Sequence, residues 1–96
     1  MKAATAKNVA KAIARWAAGN PDIRRAWVYG NTNVAVELEP VGDSEETLAA
    51  WMANAGVWRS QLQSRISVPV ELEWFDPDVG STALAEPKVL VYERTA

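Results

Sequence analysis

The chain has 96 residues, of which 49% are hydrophobic and 23% charged, and a net charge of −2. This composition fits one soluble globular domain. There is no cysteine and no histidine, which excludes disulfides, thiol nucleophiles, Cys/His zinc sites and histidine acid–base chemistry. The slightly acidic balance argues against nucleic-acid binding, which needs a basic surface. No apolar run approaches the ~20 residues of a membrane span. The stretch Met1–Asn20 also lacks the continuous apolar core and cleavage pattern of a signal, so the cytoplasm is the expected location.

Lys2 to Ala18 is alanine-rich with no internal Gly or Pro. Ala6, Val9, Ala10, Ile13, Trp16 and Ala17 recur at helical spacing, with Lys2, Lys7, Lys11 and Arg15 largely opposite. The spacing predicts an amphipathic helix whose basic stripe is a solvated face. Gly19-Asn20-Pro21 should end it, with Gly19 in the left-handed cap position.

Two β-rich runs follow, 23–30 and 33–39, around Gly30-Asn31. A two-residue connection of this composition predicts a hairpin with Gly30 and Asn31 at the turn. That register sets Trp27 opposite Val34, Arg25 opposite Val36, Ile23 opposite Leu38 and Arg24 opposite Glu37. It buries a face of Ile23, Trp27, Val34, Val36 and Leu38. It leaves Ala26, Val28, Asn33, Ala35 and Glu37 on an open face.

Asp43 with Glu46 three residues later reads as a capping box, with Ser44 as an alternative cap. The second helix, about 44 to 65, places Leu48, Trp51, Met52, Ala55, Trp58 or Arg59, Leu62 and Ile66 on its apolar side. Trp51 and Trp58 share a face, as core anchors or as a partner-binding stripe. Gly56 marks close packing or a bend, at a cost of up to ~1 kcal/mol relative to Ala. Of the five tryptophans, Trp16, Trp27, Trp51 and Trp74 are expected in the core and Trp58 at the surface.

Ser67 to Phe75 alternates with period two. Val68, Val70, Leu72 and Trp74 fall on one face, and Pro69, Glu71, Glu73 and Phe75 on the other. A turn at 76–80, one helical turn at Ser81–Ala85 and a strand at Lys88–Tyr92 complete the chain. The expected fold class is α+β, with a mixed four-stranded sheet covered by helices on one face. There is no internal repeat, P-loop or Ser/His/Asp arrangement.

Several segments together resemble the minimal nucleotidyltransferases of the DNA-polymerase-β-like superfamily, over nearly the whole chain. They are the first helix, Arg25-Ala26-Trp27-Val28-Tyr29-Gly30, Val34-Ala35-Val36-Glu37-Leu38, the long second helix, Val70-Glu71-Leu72 and Val89-Leu90-Val91-Tyr92-Glu93-Arg94. In that family an aromatic residue and Gly-Ser end the first strand. A loop rich in Arg and Gly then leads to Ser-Asp-x-Asp on the second strand, and a third carboxylate lies on the next one. The acids hold Mg²⁺ ions that bridge the nucleotide phosphates.

The present sequence departs from this pattern at its centre. Gly30 matches the family glycine, but the serine and the loop are absent. Asn31 and Asn33 fall where the two aspartates belong, and Glu71 is the surviving match to the third carboxylate. The resemblance therefore implies a nucleotidyltransferase-like fold that has lost its catalytic motif, with no bound cofactor or metal expected. Such a module would be expected to act through protein contacts, antitoxin-like beside an all-helical partner or self-associating as a homodimer, using the open face of Ala26, Val28 and Ala35.

The alternative is a metal-dependent enzyme transferring a nucleoside monophosphate to a protein or small molecule, with Glu71 assisted by Glu37 or other acids. A third reading is a bare structural domain, including an engineered minimal scaffold. Natural degeneration and deliberate loop removal would leave the same sequence.

Overall fold

A computed structural model describes residues 2–30, 33–40, 42–75 and 89–94 of the chain. The elements run α1 (Lys2–Ala18), β1 (Ile23–Tyr29), β2 (Asn33–Leu38), α2 (Ser44–Arg65), β3 (Glu71–Trp74) and β4 (Val89–Glu93). The strands form one sheet in the order β3-β2-β1-β4. β1 is antiparallel to both β2 and β4, and β2 is parallel to β3. The fold is thus α+β with a mixed four-stranded sheet, an arrangement compatible with a nucleotidyltransferase-like fold. The parallel β2–β3 pair requires a crossover, and α2 supplies it. The expected helical turn at Ser81–Ala85 lies outside the described residues.

Both helices cover the same face. Val9, Ile13, Trp16 and Ala17 of α1 share a buried cluster with Trp58 and Leu62 of α2, Ile66 and Val70 beyond it, and Ile23, Ala26, Val34, Val36 and Leu38 of the sheet. Lys11 and Arg15 lie at the surface, as the periodicity predicts. Asp43 caps α2, its Oδ1 accepting from the Glu46 amide at 2.9 Å. The acidic pair Glu45–Glu46 in the first turn complements the positive end of the helix.

The end of α1 differs from expectation. Among the described residues Gly30 and Gly42 have positive φ, and Gly19 does not. The Gly19 amide still donates to the Arg15 carbonyl, and the Asn20 amide turns back to that of Ala17, both at 3.1 Å. Arg94 takes over the capping role. Its Nη2 donates to the carbonyls of Ala17 (3.2 Å) and Asn20 (2.9 Å), and its Nε to Ile23 O (3.2 Å). A cation here satisfies carbonyls that the helix leaves open and opposes its negative end.

The hairpin register is shifted by one residue from expectation. Tyr29 pairs with Asn33, Val28 with Val34, Trp27 with Ala35, Ala26 with Val36 and Arg25 with Glu37. The connection is therefore the three residues Gly30, Asn31 and Thr32, of which Asn31 and Thr32 lie outside the described residues. An irregularity between Ile23 and Arg25 restores the expected Ile23–Leu38 pair. Because side chains alternate with period two, this slip reassigns the faces of β1. Ala26 is fully buried under the helices and Val28 packs against the same cluster. Trp27 moves to the outer face. The expectation that Ala26 and Val28 lie on an open face is thereby overturned.

The tryptophans of α2 also differ in part from expectation. Trp58 is 4% exposed, contrary to the surface position expected for it. Its ring meets Trp16 edge-on at 6.4 Å and Trp51 at 6.1 Å. Trp51 in turn stacks on Trp74 at 6.5 Å. Trp51, Ala55, Trp58 and Leu62 form the inward side of α2. Leu48 and Met52 lie at the surface instead of in the apolar stripe assigned to them.

Strand β3 is shorter than the alternation implies, because side chains claim the backbone before it. Gln63 donates to the carbonyls of Ile66 (3.1 Å) and Val68 (2.8 Å) and accepts from the Val70 amide (3.0 Å). The Arg59 Nε donates to Val70 O at 3.2 Å. The Val70 amide is thereby spent on a side chain, and ladder pairing begins at Glu71.

Candidate functional site

The residues singled out by the sequence meet on the outer face, at the Gly30 end of β1 and β2 and the start of β3. Asn33 opens β2 and Glu71 opens β3, and the two are register partners in the parallel ladder. Tyr29 closes the hairpin opposite Asn33, and its hydroxyl donates to Glu73 Oε2 at 2.8 Å. The cluster therefore comprises an amide, an exposed carboxylate, and a second carboxylate held by a phenol. Gly30 adopts φ +59°, and a Cβ built on it would lie 2.8 Å from Asn33 Nδ2. Glycine is thus favoured here by the positive φ, and a larger residue would also make the Asn33 side chain move aside. Asn31 lies outside the described residues.

Toward the middle of the same face, Trp27 and Phe75 meet edge-on with ring centroids 5.1 Å apart. They stand on β1 and just after β3, with β2 between them, and the intervening Ala35 is fully buried. This face is therefore partly closed by its own aromatics, with Ala35 beneath them.

At the far end the expected Arg24–Glu37 charge pair forms part of a larger network, in which Arg25 and not Arg24 is the register partner of Glu37. Glu37 is 6% exposed and accepts from Arg25 Nη1 at 2.9 Å, while Arg24 Nε stands 3.9 Å away. Arg25 Nε also donates to Glu93 Oε2 at 2.8 Å. The hydrogen bond to Glu93, followed by that to Glu37 and its charge, raises the Arg25 pKa above the ordinary arginine value. With two arginines against it, Glu37 is committed to holding β1, β2 and β4 together. It stands four residues along β2 from Asn33, too far to act with Glu71.

Mg²⁺ takes octahedral oxygen ligation anchored by carboxylates. The described residues do not fit such an ion. Asn33 offers a neutral amide, Glu73 is shared with Tyr29, and no group of three or more Asp, Glu, His or Cys residues is placed to hold a metal among the described residues.

A groove of about 420 Å³ lies elsewhere, where the C-terminal ends of the two helices converge, lined in part by Arg15, Trp16, Trp58 and Arg65. Each arginine sits in the last turn of its helix and offsets that helix's negative end. Trp16 Nε1 donates to Gln61 Oε1 at 2.9 Å across the floor. Among the described residues, no helix is long and apolar enough to cross a membrane. Comparison with protein-family models, with curated proteins and with solved structures gives no match.

Proposed function

We propose that this chain is a catalytically degenerate nucleotidyltransferase-fold module that acts through protein contacts. The observation that carries the reading is the pairing of Asn33 with Glu71 across β2 and β3, directly after a three-residue connection from β1. Where the resemblance calls for carboxylates opposite one another beneath a long phosphate-gripping loop, this chain has an amide opposite one acid. Fold alone would not argue for or against transfer chemistry, so the reading rests on these side chains.

A neutral amide cannot replace the charge of a carboxylate. At an effective dielectric near 20, one unit charge at ~4 Å from a dication accounts for about 8 kcal/mol of attraction before solvent compensation. Loss of a single group that stabilises a transition state commonly costs ~10²–10³ in rate. A tight hairpin also leaves little backbone to wrap a triphosphate.

The test is transfer from labelled ATP, GTP, CTP and UTP with Mg²⁺ or Mn²⁺, using the full chain. The expected result is no incorporation. Incorporation that disappears in Glu71→Gln would overturn the reading and establish an enzyme.

A further inference from the structure

The groove of about 420 Å³ between α1 and α2 plays no part in the reading above. Arg15 lines it from α1 and Arg65 from α2, and no acidic residue lines it among the described residues. Neither guanidinium has a hydrogen bond or a carboxylate partner among those residues, although the chain carries 12 acids against 10 bases. Arginines so placed offset the negative ends of helices, but the terminal carbonyls already have other donors. Arg94 donates to the carbonyls of Ala17 and Asn20 at the end of α1. The Ser64 hydroxyl donates to Gln61 O in the last part of α2. Two cations are therefore left to share one space.

The neutral side chains add donors to it. Trp16 Nε1 can only donate, so the Gln61 atom it meets at 2.9 Å is Oε1. The Gln61 amide nitrogen remains as a donor. Asn20 Oδ1 accepts from the Asp22 amide at 3.2 Å, and its amide nitrogen remains in the same way. Both residues line the groove. Because Trp16 is buried, the Gln61 amide is held by a fixed partner.

We propose that this groove binds a small phosphomonoester. Such a group carries about −1.5 to −2 charge at neutral pH on three acceptor oxygens. It meets two guanidiniums, each offering paired N–H groups in a planar fork. A carboxylate would bring a single charge on two oxygens. The volume calls for an organic body as well, since about 420 Å³ falls in the range of small-molecule sites, ~300–1,000 Å³. Pro21 and the aliphatic stems of the arginines supply apolar surface for that body. The groove lies in the helical layer, away from Asn33 and Glu71, and the proposal does not rest on the protein-contact reading.

The experiment is an NMR titration of the isotope-labelled full chain at constant ionic strength, read at the Trp16 indole and the Gln61 side-chain amide. Phenyl phosphate should shift both signals saturably, with Kd about 1 mM or tighter. Benzoate has the same ring and one charge, and should bind at least ~5-fold more weakly. Inorganic phosphate lacks the ring and should also bind more weakly than phenyl phosphate. Arg15→Gln and Arg65→Gln should each weaken phenyl phosphate at least ~10-fold, the loss expected for a hydrogen bond to a charged group. Lys11→Gln removes the same charge one turn from Arg15, outside the groove, and should change binding less than ~3-fold. All three residues are exposed, so thermal melts should be unchanged. Absence of a saturable shift would overturn the proposal. So would a Lys11→Gln loss equal to those of the arginine variants, which would reduce the effect to general attraction by a basic surface. Benzoate binding as tightly as phenyl phosphate would overturn the choice of a phosphate head, and inorganic phosphate binding as tightly would overturn the organic body.

Discussion

Adjacent positions on β1 illustrate two ways of holding a sheet. Ala26 faces the helices and shares a dry cluster with Ile13, Val34, Val36, Trp58 and Leu62, where shape and volume determine stability. Arg25 and Trp27, one residue to either side, face outward. There Arg25 ties Glu37 to Glu93, Tyr29 ties down Glu73, and Trp27 meets Phe75. The inner face resists loss of volume. The outer face depends on directed contacts that either form or fail individually. A sheet supported in this way does not need helices on both sides, and the outer groups that do the holding are no longer available for chemistry.

The largest effect should come from the inner face. Trp58→Ala removes a ring that touches both Trp16 and Trp51, and a core aromatic deletion costs about 3–5 kcal/mol. On the outer face Trp27→Ala should cost about half as much, ~2 kcal/mol, because the ring is half-buried and its gain is shared between Phe75 contact and area. Urea titrations of the two variants measure the comparison directly. Equal losses would show that the outer face is a second core.

Which residue belongs to which face depends on the turn, and here the sequence was legible only in part. The element order, the Asp43 cap and the parity of β2 and β3 follow from local chemistry and period-two patterning. For that reason Asn33 and Glu71 could be placed on the same face from sequence alone. The number of residues in the hairpin connection could not. Gly30-Asn31 suits a two-residue turn, but Tyr29 pairs with Asn33, and this one-residue shift moves Trp27 outward and sets Arg25 instead of Arg24 opposite Glu37. Trp58 was obscured by its charged neighbour Arg59, although its spacing from Trp51 already implied a shared inward side. The shortening of β3 depends on Gln63 reaching the backbone of Ile66, Val68 and Val70, a tertiary contact that leaves no periodic trace. Arg94 is equally silent in sequence, since its partners Ala17 and Asn20 lie at the far end of the chain.

Gly30→Ala probes the turn itself. The variant must hold an L side chain at φ +59° with its Cβ 2.8 Å from Asn33 Nδ2. The left-handed conformation costs about 1–2 kcal/mol for a residue with a Cβ, and Asn33 must also move. The expected loss in a urea titration is of that order. A neutral outcome would mean that the connection relaxes to another geometry. In that case cross-strand amide contacts measured by NMR should shift from Tyr29–Asn33 toward the two-residue register, turning Trp27 inward.

The smallest effect, and the sharpest in form, concerns Arg25. Its pKa is raised in the folded chain, first by the hydrogen bond to Glu93 and then by that to Glu37. A basic group whose folded pKa lies above its unfolded value contributes stability that is fully present below the unfolded value. That contribution is lost only as pH rises through the folded value. For an arginine this window lies far on the alkaline side. The stability difference between wild type and Arg25→Ala should therefore favour the wild type and stay constant between about pH 6 and about pH 9. Arg25→Lys should recover little of it, because an ammonium lacks the planar fork that reaches two carboxylates on different strands. Arg24→Ala provides the internal control. Arg24 stands 3.9 Å from Glu37 and is the more exposed of the two arginines, so its removal should cost less than that of Arg25. If the two arginine variants proved equally destabilised, the network would be a diffuse charge effect, and the outer face would owe its order to contacts such as Trp27–Phe75 and Tyr29–Glu73.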